Sequence, residues 1–268
     1  MPVIALTSLE DPRLAVYRHL KTSNAGRDAR AFVVEGAKLV DRLLSSPFTV
    51  LSALADTNHC GMIEPRLSPD VPLFVLPRPA LRELIGYEFH QGVLASGRRG
   101  TFQNFDTLMA DPRPRRTIVV CPSLNNPENL GTILRLADVF DVEAVLVGPS
   151  CPDPFSRRVL RVSMGFALWR SVFVLDDLIG ACERLRARAG FAILGAVATS
   201  GAEPFDARPR PDRSLLVLGH EATGIDGAWI KACDRAITVP MRPGAESLNV
   251  AVATGVLLHH FQRDDTWS

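Results

Sequence analysis

An α/β fold is predicted for this 268-residue chain by three observations. Beyond residue 116, six short runs are dominated by apolar residues. Amphipathic stretches of helical period lie between most of them, and hydrophobic residues make up 47 % of the chain, enough to fill a core. Strands that are apolar throughout, separated by helices, imply a parallel sheet covered on both faces.

The elements follow in order. Residues 1–98 carry DARAFVVEGAKLVDRLL, a strand running into a helix, then a stretch punctuated by Pro65, Pro69, Pro72, Pro77 and Pro79, then HQGVLAS at 90–96. Fewer strands and more loop punctuation predict a smaller α/β domain of its own. The polar residues 99–115 read as a linker, and residues 116–268 as the second domain. There RTIVVCPSL (116–124) has the length of a strand. Asn126 is placed to cap the next helix with Pro127 at its first position, where the missing N–H costs nothing. Leu130, Ile133, Leu134 and Ala137 then share one helical face. AVLVG (144–148), SVFVL (171–175), FAILGAVA (191–198), SLLVLG (214–219) and AITVP (236–240) are the remaining strands. DDLIGACERLRARA is a helix closed by Gly190, and a last helix follows Asn249.

Composition narrows the function classes. Formal net charge is only +1, so a nucleic-acid partner would be met by a local patch. Arg13, Arg18, Lys21, Arg27 and Arg30 form one such patch, and Arg157, Arg158, Arg161 and Arg170 a second; either also fits a solvated charged face. Cys60, Cys121, Cys151, Cys182 and Cys233 are widely spaced, with no C-x-x-C pair, which supports neither a disulfide framework nor a zinc site. His259 and His260 are adjacent on a helix, point about 100° apart and cannot clamp a metal together. No metal is expected. The start MPVIALTSLEDPR lacks the pattern of a leader, and no window approaches the roughly 20 apolar residues of a membrane span, so the expected location is cytoplasmic, away from membranes.

Three segments carry the chemistry: NPENLGTILR (126–135), LLVLGHEATG (215–224) and PMRPGAESLNV (240–250). Each follows a predicted strand and borders or approaches a helix. Ser247 and Asn249 stand at the mouth of the last helix, where they can cap its first turn or face a ligand. Gly219, Glu221 and Gly224 fit an ordinary βα turn or a loop that lets backbone approach a ligand closely. Arg135 lies one turn from Gly131, whose missing side chain leaves room beside it, yet a solvated helix arginine would look the same. No G-x-G-x-x-G opens a helix after a strand and no G-x-x-x-x-G-K-[ST] is present, which removes dinucleotide-dependent dehydrogenases and P-loop enzymes.

Taken in this order, the three segments resemble the SpoU-type RNA ribose 2′-O-methyltransferases of the SPOUT superfamily. FVVEGAKLV and HQGVLA resemble the L30e-like substrate-binding domain that many of them carry, so the resemblance spans nearly the whole chain. It implies a C-terminal parallel-sheet domain with a trefoil knot, which chain physics alone would not predict. It also implies S-adenosylmethionine as methyl donor, a homodimer with the site near the subunit interface, and an RNA substrate. By the same resemblance Arg135, Asn129, Glu221, Ser247 and Asn249 are the catalytic set. Gly219, Glu221 and Gly224 form one wall of the cofactor pocket, joined by Thr199, Val239, Pro240 and Met241. Ser247, Leu248 and Asn249 complete it, the two motif loops following adjacent strands. His220 stands where many members have Asn. For Arg135, stabilising the alkoxide or binding phosphate is physically easier than acting as a base, because a protonated guanidinium has no acceptor. An L30e-like domain favours a large structured RNA, 23S rRNA ahead of tRNA, with residues 13–30 as docking surface. A catalytically silent RNA-binding homologue is the alternative from another class.

Overall fold

The computed structural model describes residues 3–18, 20, 30–88, 90–100, 104–199 and 202–263. Lys21 and Arg27 lie outside them. The chain forms two compact units, one of Met1–Phe102 with Phe155–Trp169, the other of Gln103–Pro154 with Arg170–Ser268.

The first unit is built on a five-stranded mixed sheet of β1 (Val3–Ala5), β2 (Ala31–Glu35), β3 (Val50–Asp56), β4 (Leu73–Leu76) and β5 (Val93–Arg98), ordered β1-β4-β3-β5-β2. Strands β1, β4 and β3 run parallel, and β5 is antiparallel to β3 and β2. Within the stretch read as a strand and a helix, residues 31–44 form both, β2 and α1 (Ala37–Leu44). Between them Gly36 takes a φ of +89°, a conformation that favours glycine. Helix α2 (Arg78–Ile85) closes one face over Leu54, Leu76 and Leu94. Strands β3 and β4 were not foreseen. The first mixes Ser, Ala and Asp with its apolar residues, and the second is four residues held between Pro72 and Pro77, which flank it without breaking its ladder.

The second unit is a seven-stranded sheet, parallel throughout, of β6 (Arg116–Cys121), β7 (Ala144–Val147), β8 (Ser171–Val174), β9 (Ala192–Ala196), β10 (Glu203–Pro204), β11 (Arg213–Leu218) and β12 (Arg235–Thr238). Its order is β10-β12-β9-β11-β6-β7-β8. The six expected strands are all present, each ending before its apolar run does; four of those runs meet Pro122, Gly148, Gly219 or Pro240 at or just beyond the strand end. The two-residue β10 is too short to carry a period. All six residues of β6 are buried, as a central strand covered on both sides requires.

Helices α3 (Pro127–Val139), α4 (Arg157–Val162), α5 (Leu178–Ala189), α6 (Gly227–Ala232) and α7 (Val250–Arg263) follow. Their ends obey local chemistry. The Asn126 carboxamide accepts from the Glu128 N–H, Asp177 from Gly180, Asp226 from Ala228 and Trp229, and Gly190 ends α5 at φ +70°. Helix α7 packs along α3, so the segments bearing Asn249 and Asn129 lie side by side. Helix α4 belongs with the first unit. There Phe155 packs against Phe32 and Phe48, and the Arg157 guanidinium pairs with Glu35 and covers the Tyr87 ring, 4.4 Å from its centre. A linear boundary near residue 98 therefore leaves out Phe155–Trp169, whose membership of the first unit depends on contacts far away in sequence.

Candidate active site

The loops after β6, β11 and β12 meet at the C-terminal ends of the parallel strands, where open α/β sheets bind ligands. Glu221 ties the first two together. Its carboxylate accepts from the backbone N–H of Asn125 at 3.0 Å and of Asn126 at 3.1 Å, and from the Asn129 side-chain amide at 3.0 Å. Asn129 continues the chain. Its carbonyl oxygen accepts from the Asn249 amide at 3.1 Å, and Asn249 in turn caps α7 by accepting from the N–H groups of Ala251 at 2.9 Å and Val252 at 3.3 Å. One residue from each motif thus forms a single relay, Glu221–Asn129–Asn249. Asn129 is 8 % exposed with both ends of its carboxamide used.

Burial would raise the Glu221 carboxyl, but the hydrogen bonds from Asn129, Asn125 and Asn126 outweigh it and hold the group below its ordinary value of 4.5. It is held as an anion. The loop itself is closed by paired backbone hydrogen bonds between His220 and Gly224, each 2.9 Å, and the His220 Nδ1 accepts from the Ala222 N–H at 3.1 Å. A Cβ on Gly219 would fall 2.7 Å from the backbone carbon of Gly224, so this position excludes any side chain. His220 thus serves to close the turn.

Beside the relay lies a cavity of about 710 Å³, a size suited to a nucleoside-bearing small molecule. Thr199, Gly219, Glu221 and Gly224 line it, as do Val239, Met241, Ser247, Leu248 and Asn249. Pro240, assigned to the pocket from sequence, is exposed and outside the lining; its neighbours Val239 and Met241 face the cavity in its place. Asn129 and Arg135 also lie outside it, Asn129 buried behind Glu221 and Arg135 exposed on α3. The expectation that the two motif loops follow adjacent strands is corrected: β9 runs between β11 and β12. That is why residues 196–198, the end of β9 and the two residues after it, form part of the lining. Ile225, Ile237, Ala253, Leu257 and Glu246 were missed as well. The apolar four look like core in any strand or helix pattern, and only the position of Glu246 just before Ser247 hinted at it.

The basic patch of residues 13–30 has a definite geometry where it is described. Arg13 forms an ion pair with Asp11 at 2.6 Å, and Arg18 donates to the carbonyls of Leu9 at 2.7 Å and Asp11 at 2.9 Å. Arg30 is exposed. In the second group Arg157 pairs with Glu35, Arg170 with Asp138 at 3.3 Å and Asp141 at 3.2 Å, and Arg161 is exposed. Among the described residues no three His, Cys, Asp or Glu side chains gather as a metal site, and no helix is long and apolar enough to cross a membrane.

Comparison with known proteins adds independent findings. Residues 116–259 match the model of the SpoU rRNA Methylase family. An uncharacterized tRNA/rRNA methyltransferase of Mycobacterium bovis is 30 % identical over 262 residues, 95 % of this chain and 90 % of that protein. The 23S rRNA (guanosine(2553)-2′-O)-methyltransferase RlmP of Bacillus subtilis is 27 % identical over 96 % of this chain and 98 % of its own. An AdoMet-bound rRNA methyltransferase of Sinorhizobium meliloti superposes with a TM-score of 0.81 at 22 % identity, over 98 % of both chains, and so shares the fold.

Proposed function

The chain belongs to the SpoU rRNA Methylase family, and from that premise we propose that it transfers a methyl group from S-adenosylmethionine to a ribose 2′-hydroxyl of RNA, with 23S rRNA as the substrate. The observation that carries this reading is the relay Glu221–Asn129–Asn249, which joins all three motifs at the edge of the cavity. The cavity fits the methyl donor: its volume suits the molecule, the close packing of Gly219 on the Gly224 backbone shapes the loop at its wall, and Ile225, Ile237, Leu248 and Leu257 offer apolar surface to an adenine. RlmP of B. subtilis, aligned along its whole length, acts on 23S rRNA, which supports that target over tRNA. The tRNA/rRNA name of the M. bovis protein keeps tRNA as the second reading.

When bound, S-adenosylmethionine supplies a methyl carbon already activated by its sulfonium. Such a transfer would join the 2′-oxygen to that carbon as the carbon–sulfur bond breaks, leaving a neutral thioether and passing the hydroxyl proton to water. The protein's contribution is alignment, worth roughly 7 to 11 kcal/mol. Asn129 fixes Asn249 and Glu221 against one another, so the loops carrying Ser247, Leu248 and Gly219 hold one geometry. Arg135, exposed on α3, stabilises the alkoxide as the proton departs or holds the neighbouring phosphate. Ser247 presents its hydroxyl at the cavity wall toward the ribose or the donor.

The protein acts as a homodimer in the cytoplasm. Supporting the dimer, Val252 and Val256 lie one turn apart on the outer face of α7, 53 % and 37 % exposed, with Val139 of α3 at 57 %. The first unit serves as an L30e-like RNA-docking domain through the basic residues of 13–30. The last segments of the second unit thread a trefoil knot, which brings the loops after β11 and β12 to one cavity. Incubation with methyl-labelled S-adenosylmethionine and ribosomal RNA from a deletion strain tests the activity. Label should enter that RNA and not RNA from the parent, whose site is already filled. Label in neither RNA, with binding of RNA intact, would favour a silent RNA-binding homologue.

A further inference from the structure

Resting on the reading of this cavity as the S-adenosylmethionine pocket, we infer that Glu246 makes it select the cationic methyl donor over the neutral thioether left after transfer. Among the described lining residues the ionisable side chains are Glu221, Glu246 and His220, with no lysine or arginine. The two carboxylates differ. Glu221 is saturated by three N–H donors, which spread its charge into the relay. Glu246 sits on the exposed loop before α7 and has no hydrogen-bond or ion-pair partner among the described residues, so its field acts on whatever occupies the cavity. Ile225, Ile237, Leu248 and Leu257 line the same cavity with apolar surface, against which a charge is less screened than in open water.

Donor and product share the adenosine, the ammonium and the carboxylate, so interactions with those parts cancel in the ratio of their affinities. They differ by one methyl group and one positive charge at sulfur. A sulfonium has no N–H or O–H to donate, so the surroundings recognise it mainly through the electrostatic field. An uncompensated carboxylate on the pocket wall supplies such a field, and loss of the charge on transfer favours product release.

Calorimetric titration of the full chain and of its E246Q variant with three ligands tests this. The ligands are S-adenosylmethionine, S-adenosylhomocysteine and sinefungin, which carries an ammonium group near the sulfonium position. The variant should bind S-adenosylmethionine and sinefungin about tenfold more weakly and S-adenosylhomocysteine within about twofold of the parent. Because Glu246 is exposed, the variant's thermal midpoint should match the parent's. Equal loss for all three ligands would overturn the inference by assigning Glu246 to their shared parts, and unchanged affinities would overturn it outright. Both outcomes leave the pocket standing. A parent chain that binds none of the three would instead overturn the pocket reading, and this inference with it.

Discussion

Asn129 is the residue on which the three motifs converge, because its amide donates to Glu221 while its carbonyl accepts from Asn249. Asn129 is itself buried, so both hydrogen bonds are needed to satisfy its carboxamide. Glu221 completes the lock, and its depressed pKa gives a signed expectation. A carboxylate held below 4.5 contributes its ordering of the loops above that value, and the contribution is lost as pH falls through the lower folded-state value. Affinity for S-adenosylmethionine should therefore be flat from about pH 8 to about pH 5 and decline in more acid solution. Glu221→Gln should start weaker and lack that acid decline; an identical acid limb in the variant would assign it to another group. Arg135 tests the other half of the site. Lying outside the cavity, its replacement in Arg135→Ala should lower methyl transfer on the order of 10²-fold or more while donor affinity persists, as single-turnover assay and calorimetry would read. The motif residues were legible in sequence because each is a polar or glycine position interrupting an apolar pattern. Residues 196–198 and Leu257 were not, since apolar residues facing a cavity and those facing a core look the same.

At the scale of elements, Asn249 does two things that one substitution can separate. Its carbonyl oxygen caps α7 and its amide donates to Asn129. Asn249→Asp keeps the cap acceptor and removes the amide donor, so it should melt within a degree or two of the parent yet lose methyl transfer. Asn249→Ala loses both, and its stability should fall by about 1 kcal/mol in denaturant titration. Equal activity in Asn249→Asp and the parent would reduce this residue to a cap. The central strands and helices α3 and α5 were legible because a hydrophobic run agrees with a local end signal, Asn126 and Pro127 at the start of α3 and Gly190 at the end of α5. Where the signals conflict, as in β3 with its Ser and Asp or β4 between two prolines, the sheet is stabilised by pairing with distant strands, which no local window reveals.

For the molecule as a whole, the second unit brings segments about a hundred residues apart into one site through strand order alone. Placing β9 between β11 and β12 brings the end of β9, and the expected Thr199 beyond it, into the cavity wall beside the two motif loops. That order, like the assignment of Phe155–Trp169 to the first unit, is a property of the assembled sheet and of contacts such as Phe155 on Phe32. It was accessible from sequence only through resemblance to a known family. The central claim is chemical: the methyl group goes to a ribose oxygen. The direct measurement is mass-spectrometric mapping of ribosomal RNA treated with the purified chain and S-adenosylmethionine, combined with alkaline hydrolysis. A single nucleotide should gain the mass of one methylene on its ribose, and the phosphodiester on its 3′ side should resist alkali because no free 2′-hydroxyl remains to attack it. A methyl group on a base, with that bond still cleaved, would contradict the account.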